Sequence, residues 1–330
     1  MKLFFTIILT LALILGLLSG CSGGKETVQA PADTTDDTQK LNVVATIYPV
    51  YDWVRELAGD RADEMNLTLL LDSGVDLHSY QPTADDLVKI ANCDLFLYVG
   101  GESDAWVPNA LSAAGNPDRV ALNLMGILGS AVKEEEVVEG MQAEDEADED
   151  EDEVEYDEHV WLSLKNAAIL CQAIGDALSQ IDPDGSESYS ANTAAYLEQL
   201  TNLDGEYAAA VANAEHTTIL FGDRFPFRYL ADDYGLNYYA AFVGCSAESE
   251  ASFETVVFLA GKVDELELPA ILKIDGSDGK LAQTILDNTQ SKSARILEMD
   301  SLQSATTTEA EKTYLSAMED NLYVLTEALG

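Results

Sequence analysis

Three histidines, His78, His159 and His216, are the side chains of this chain whose type is best suited to bind a transition metal or to move a proton. His78 lies in DSGVDLHSYQPTADD, and His159 closes a long acidic run in EYDEHVWLS. Each of these two stretches falls between a predicted strand and a predicted helix, whereas His216 precedes its strand. Because parallel sheets bind ligands beyond the carboxyl ends of their strands, we expect His78 and His159 to converge and His216 to stay apart. Three unrelated surface histidines are the alternative.

The acidic run that leads to His159 is the most unusual segment of the sequence. Sixteen of the 25 residues at 134–158 are Asp or Glu, and none is Lys or Arg. The negative charges of such a dense run repel one another. The run is therefore interpreted either as a solvating spacer or as a weak collector of divalent cations. We expect its removal to leave a high-affinity site intact. The acidic residues nearest His159 are Glu149, Asp150, Glu151, Asp152, Glu153, Glu155, Asp157 and Glu158.

The elements that would position these side chains alternate between strand and helix. LNVVATIYPV, DLFLYVGG and PAILKID have the β-branched and apolar composition of buried strands, and YDWVRELAG and ADDLVKIANC have helical spacing. Such alternation predicts a mostly parallel sheet covered on both faces. A long helical pattern interrupts it midway along the chain. We therefore predict an α/β fold of two βα lobes, joined by one long connecting helix, with the ligand cleft between the lobes.

The predicted boundaries follow from these changes of pattern. We place a signal peptide at residues 1–20, a flexible tether at 21–40, the first lobe at 41–185, the connecting helix at 186–215 and the second lobe at 216–330.

The N-terminus predicts export and lipidation. A lysine is followed by an apolar run that is short for a membrane span, and then by Leu18-Ser19-Gly20-Cys21. This last stretch resembles a bacterial lipobox, which implies cleavage before Cys21 and a lipid on its thiol. We expect a protein anchored to the bacterial membrane through Cys21, at the cell surface or in the periplasm. An ordinary signal peptide with a chance cysteine is the alternative.

Net charge and the other cysteines restrict the function further. The net charge of −43 argues against nucleic acid as a partner and favours a cation. Cys93, Cys171 and Cys245 are widely spaced, show no CxxC pattern and receive no role. HExxH and phosphate-loop motifs are absent from the sequence.

Several motifs together resemble the receptor proteins of bacterial ABC importers for zinc and manganese. The most specific is Gly-Val-Asp-Leu-His-Ser-Tyr-Gln-Pro, because the family commonly has Gly-x-Asp-Pro-His-x-Tyr-x-Pro, with Leu77 here in place of proline. EHVWLSLKNA, FRYLADDYGL and KLAQTI extend the likeness over nearly the whole chain. The family also carries a His-rich or acidic loop just before its second ligand histidine, which is where this chain has its acidic run.

The resemblance implies four metal ligands. Two of them correspond to His78 and His159. The third is a histidine or Glu in the family, but here the aligned residue is Arg224, whose guanidinium is not a metal ligand, so the adjacent Asp223 is the predicted ligand. The fourth is Asp300, with Asp275 in reserve. A helix N-cap for Asp223 and an exposed loop carboxylate for Asp300 are the alternatives.

A site of two imidazoles and two carboxylates suits Zn²⁺, and it also accepts Mn²⁺ or Fe²⁺. We expect a monomeric, non-enzymatic receptor that captures a divalent ion, preferably Zn²⁺, and delivers it to a membrane permease. A zinc metalloenzyme and a surface adhesin are the alternative functions. Metal-dependent turnover would favour the first, and host-protein binding that survives loss of His78 and His159 would favour the second.

Overall fold

The computed structural model describes residues 40–142, 155–246, 250–308 and 312–330. The predicted signal peptide, the lipidation residue Cys21, the tether up to residue 39 and the acidic residues Glu149, Asp150, Glu151, Asp152 and Glu153 lie outside the described residues. Within the described part, no helix is both long enough and apolar enough to traverse a bilayer.

The first lobe is built on a four-stranded parallel sheet. Its strands are β1 (Leu41–Ala45), β2 (Met65–Leu69), β3 (Leu95–Tyr98) and β4 (Val120–Asn123), in the order β2-β1-β3-β4. The helices around it are α1 (Tyr48–Ala58), α2 (Ala84–Asn92), α3 (Val107–Ser112), α4 (Leu124–Leu128) and α5 (Leu164–Ile181). α2 begins at a capping box in which Thr83 and Asp86 exchange hydrogen bonds.

The second lobe repeats this arrangement. Its strands β5 (Thr218–Phe225), β6 (Asn237–Val243), β7 (Ala270–Ile274) and β8 (Arg295–Met299) lie in the order β6-β5-β7-β8 and are all parallel. A long helix, α6 (Ser186–Ala212), precedes this lobe in the chain. The helices of the lobe itself are α7 (Arg228–Tyr234), α8 (Phe253–Glu265), α9 (Lys280–Asn288) and α10 (Tyr314–Leu329). The fold class predicted from the sequence, two parallel-sheet α/β lobes, is confirmed.

The long helix α6 connects the two lobes and is bonded to both. The Asn192 amide donates to the Leu57 carbonyl of α1 (3.1 Å), and the Tyr207 hydroxyl donates to the Met318 carbonyl of α10 (2.6 Å). The main apolar core is continuous across the lobes, since the buried rings of Trp53 and Tyr314 meet edge to face at 5.0 Å. The two sheets are therefore held in one packed unit.

Candidate metal centre

Two imidazoles face each other at the junction of the lobes. Nε2 of His78 lies 3.2 Å from Nε2 of His159, and the ring centroids are 5.1 Å apart. The His159 side chain is fully buried, and that of His78 is 11% exposed. The convergence that strand order predicts for these two histidines is present in the structure.

A short turn fixes His78. Leu77–Ser79 form a 3₁₀ turn whose first residue, Leu77, is buried, and the Asp76 carboxylate accepts a hydrogen bond from the His78 backbone N–H (3.0 Å). On the outer side of the ring, His78 Nδ1 lies 2.9 Å from Ser103 Oγ and 3.6 Å from Glu158 Oε2. These contacts orient the ring so that Nε2 points at His159.

His159 is fixed more firmly still. The three residues that follow it, Val160–Leu162, form a 3₁₀ turn and are all buried. The Trp161 indole donates to the Ser301 carbonyl (2.9 Å), which ties this turn to the second lobe. Asp157 Oδ1 accepts from the His159 backbone N–H (2.9 Å) and lies 3.0 Å from His159 Nδ1. A carboxylate that orients the outer nitrogen of an imidazole is typical of metal-ligating histidines.

The protonation of the pair follows from these contacts. An ionised carboxylate only accepts hydrogen bonds, so Asp157 places the His159 proton on Nδ1 and leaves the Nε2 lone pair facing His78. Ser103 Oγ can donate or accept, which makes both tautomers of His78 available. Burial, with the neighbouring His159, lowers the pKa of His78 to about 3. At neutral pH His78 is therefore uncharged, which is the form that binds metals.

A third donor stands beside the two imidazoles, and sequence reasoning missed it. Cys245 Sγ and one ring nitrogen from each of His78 and His159 all lie within 4.8 Å of one another. Cys245 lies in the loop after β6, where Gly244 permits the close approach: a Cβ at that position would lie 3.0 Å from the His159 ring atoms Cε1 and Nδ1. The available signal was the loss of a ligand at Arg224 together with a thiol beyond the carboxyl end of a strand.

The predicted carboxylate ligands are not grouped with the two histidines. Among the described residues, the three-donor group does not include Asp223, Asp275 or Asp300. Asp223 falls in an irregular part of β5, where the pairing with β6 shifts register between Phe221 and Arg224. Its carboxylate accepts from the backbone N–H groups of Arg224 (2.9 Å) and Ile274 (3.4 Å). A β-bulge re-aims side chains, which gapless alignment does not anticipate.

Asp275 and Asp300 follow β7 and β8 and already have partners. Asp275 accepts from the backbone N–H and the hydroxyl of Ser301, at 2.7 and 2.6 Å. Asp300 accepts from the Leu302 backbone N–H (2.8 Å) and pairs with Lys312 (2.6 Å). Burial, with the nearby Asp300 charge, raises the pKa of Asp275. Their role as ligands stays a prediction.

Arg224, which the resemblance aligns with the third ligand position, links the two lobes. Its guanidinium donates to Asp76 Oδ2 (2.8 Å) in the first lobe and to the Ser246 carbonyl (3.1 Å) in the second. Although burial opposes ionisation, Arg224 lowers the pKa of Asp76. Arg224 thus ties the turn that carries His78 to the loop that carries Cys245.

A cavity of about 540 Å³ opens onto His78, and acidic residues line it. Glu135, Glu155 and Glu158 come from the two described ends of the acidic segment. These ends pair with each other, since the Glu135 N–H donates to the Glu155 carbonyl (2.9 Å). At the carboxyl end of the segment Asp157 contacts His159 directly. That removal of the acidic run leaves a high-affinity site intact stays a prediction.

The remaining candidates lie apart from this centre. The His216 backbone N–H donates to the Leu329 carbonyl (2.9 Å), and His216 is not part of the three-donor group. Cys93 and Cys171 are fully buried in apolar clusters.

Comparison with known proteins assigns the family. Residues 43–328 match the family described as "ZnuA: Zinc-uptake complex component A periplasmic". The chain belongs to this family. It is 33% identical over 290 residues to the zinc-binding lipoprotein AdcA of Streptococcus pneumoniae, an alignment that covers 87% of this chain and 55% of AdcA. The chain therefore spans about half the length of that relative.

Relatives of similar length and solved structures agree with this assignment. The high-affinity zinc uptake system protein ZnuA of Bacillus subtilis is 29% identical, with 95% of this chain and 94% of the relative covered. The crystal structure of the Zn(II)-bound ZnuA-like domain of S. pneumoniae AdcA superposes with a TM-score of 0.68 at 30% identity, over 88% of this chain and 99% of that one.

Proposed function

We propose that this family member is an extracytoplasmic receptor that captures Zn²⁺ through His78 and His159 and delivers it to the permease of an ABC importer. It is held at the bacterial membrane by a lipid on Cys21. The family assignment and the names of the relatives, which describe zinc binding and zinc uptake, support this proposal. The chain itself is monomeric and carries no catalytic activity in this proposal.

The facing Nε2 atoms of His78 and His159 carry the proposal. Two buried imidazoles 3.2 Å apart, each held at Nδ1 by an oxygen, present two nitrogen donors to one point. When both Nδ1 atoms are protonated, the two Nε2 lone pairs repel each other, and a cation between them replaces this repulsion with two coordinate bonds. Such a geometry makes the pair a better binder of a divalent ion than either histidine alone.

The carboxylates around the pair suit a cation that arrives from solvent. Acidic side chains line the cavity in front of His78 and concentrate divalent ions of any kind near it. The sequence predicts Asp300 and Asp223, with Asp275 in reserve, as oxygen donors, but Asp223 and Asp300 already have hydrogen-bond or ion-pair partners, so this proposal depends on the two histidines.

Metal content and calorimetric titration of the purified full chain test the proposal, with Zn²⁺ and Mn²⁺ in separate runs. We expect one tight Zn²⁺ site per chain, lost in His78→Ala and in His159→Ala and kept in His216→Ala. Tight binding of Mn²⁺ or Fe²⁺ with weak Zn²⁺ binding would change the substrate but not the type of receptor. A protein without a stoichiometric site, or with metal-dependent hydrolysis of an ester or peptide, would contradict the proposal.

A further inference from the structure

We propose that Cys245 is the third metal-binding residue of this centre, and that its sulfur makes the site select thiophilic ions such as Zn²⁺ over Mn²⁺. This inference rests on the proposed function, since it concerns the same ion. It replaces Asp223 by Cys245 at the third donor position.

The first argument is geometric. Cys245 Sγ lies within 4.8 Å of one ring nitrogen of His78 and one of His159. Among the described residues, these three side chains form the one such group of His, Cys, Asp and Glu donors. The thiol lies at the cavity wall, where a cation that enters would meet it. The three donors come from three separate loops of the chain, and the fold brings them within bonding reach of one ion.

The second argument is that the backbone is arranged for this approach. Gly244 lies between the His159 ring and the Phe225 carbonyl, where a Cβ would be in tight contact with both at 3.0 Å. Arg224 then holds the next peptide by donating to the Ser246 carbonyl (3.1 Å). Arg224, which also donates to Asp76 beside His78, therefore holds the loop of Cys245 against the turn of His78.

The third argument concerns charge. Glu135 hydrogen-bonds the Cys245 thiol and also accepts from its backbone N–H (3.3 Å). Glu135 and Glu158 line the same cavity as Cys245, so their charges attract a divalent cation towards this sulfur. When the cation binds, the S–H bond breaks, the sulfur keeps the electron pair and binds the metal, and the proton leaves to solvent.

The fourth argument concerns the choice of ion. Thiolate and imidazole ligands favour Zn²⁺, whereas Mn²⁺ prefers oxygen donors. A centre of two nitrogens and one sulfur, completed by a carboxylate or water, is an ordinary tetrahedral zinc environment. Replacing the sulfur by a hydroxyl should therefore weaken Zn²⁺ binding far more than Mn²⁺ binding.

Cobalt substitution tests the sulfur directly. The full chain loaded with one Co²⁺ should show the near-ultraviolet charge-transfer absorption of a thiolate-cobalt bond. Cys245→Ser should abolish this band, and Cys93→Ala, which removes a buried thiol from a separate apolar cluster, should keep it. Thermal unfolding of the metal-free variants checks that each one is folded.

Competitive titration measures the selectivity. Since loss of a partner that only orients a ligand costs roughly 10–100-fold, we expect Cys245→Ser to lower Zn²⁺ affinity by at least about 100-fold. Mn²⁺ affinity should change much less, and Asp223→Asn should keep both the cobalt band and tight Zn²⁺ binding.

The outcomes separate the two proposals. If the wild-type chain binds Co²⁺ and Zn²⁺ tightly through its histidines but shows no charge-transfer band, the assignment of Cys245 is overturned while the receptor function stands. The assignment of Cys245 is also overturned if Asp223→Asn loses tight Zn²⁺ binding and Cys245→Ser keeps it. If the wild-type chain has no stoichiometric site for either ion, the proposed function itself fails.

Discussion

The two lobes share one strand order but treat their polar side chains differently. The sheets β2-β1-β3-β4 and β6-β5-β7-β8 are topological repeats. The first lobe contributes two imidazoles whose outer nitrogens are held and whose inner nitrogens are directed at one point. The second lobe contributes aspartates whose oxygens already accept hydrogen bonds from backbone or serine groups or pair with lysine.

This difference teaches that the number of donors near a cleft does not define a metal site. A side chain becomes a good ligand when its own partners leave one donor atom directed at the ion. His159 meets this condition through Asp157. Asp300 would have to exchange its Lys312 ion pair for a metal bond before it could contribute. The comparison therefore ranks the effects of substitutions on Zn²⁺ affinity.

The largest effect among the supporting residues is expected for Asp157. In Asp157→Ala the His159 ring loses the acceptor that fixes its tautomer and direction, so Zn²⁺ affinity should fall by about 10–100-fold. Asp157→Asn should be milder, because the amide oxygen still accepts a hydrogen bond but no longer carries charge. Competitive titration against a chromogenic chelator measures both variants.

Glu134→Ala is the matched control for Asp157. Glu134 lies in the same acidic segment but is exposed, so it should change affinity little. Equal losses in the two variants would mean that Asp157 acts through overall charge rather than through its contact with His159.

A smaller effect is expected for Arg224, which links the lobes without touching the ion. Arg224→Ala leaves Asp76 and the Ser246 carbonyl without their common donor, so we expect a loss of about tenfold in Zn²⁺ affinity. Arg224→Lys should restore only part of it, because an ammonium group lacks the planar fork that reaches both acceptors. Full affinity in Arg224→Ala would show that the two loops are held by other contacts.

The sequence predicted the repeating parts of this molecule well and its local irregularities poorly. The periodicity of apolar residues predicts whole strands and helices, and with them the position of His78 and His159 after strands. The register shift in β5 that turns Asp223 towards Ile274 depends on packing between strands, and periodicity carries no record of it. The short helices α3 and α4 were not predicted, because six residues or fewer are too few to show helical periodicity.

The sequence analysis gave Cys245 no role, because its proposed role depends on residues that only the fold brings near it. A single cysteine in VGCSAES has no motif, and its meaning comes from Gly244, Arg224 and the histidine pair, which are distant in the chain. Asp157 was grouped with the acidic run for a similar reason. Only the fold shows that Asp157, within that run, contacts His159.

Asp300→Asn should have a still smaller effect. The carboxylate is engaged by Leu302 and Lys312, and an ion pair of this partly exposed kind contributes at most about 1 kcal/mol. We therefore expect Zn²⁺ affinity to change by less than about fivefold. Lys312→Met is the companion variant: if Asp300 binds the ion, removing its competing cation should tighten Zn²⁺ binding. A large loss in Asp300→Asn would restore the sequence-based ligand assignment.

The smallest equilibrium effect is expected for the middle of the acidic run. Nine of the twelve residues at 143–154 are Asp or Glu, and replacing these nine by Ser and Gly preserves the chain length and leaves Glu135, Asp157 and Glu158 in place. Zn²⁺ affinity at about 0.5 M salt should match the wild type, because long-range charge is screened there. At low salt the association rate should fall by about tenfold or more. Stopped-flow mixing at several salt concentrations measures this, and a drop in affinity that persists at high salt would mean that the run supplies a ligand rather than an attractive field.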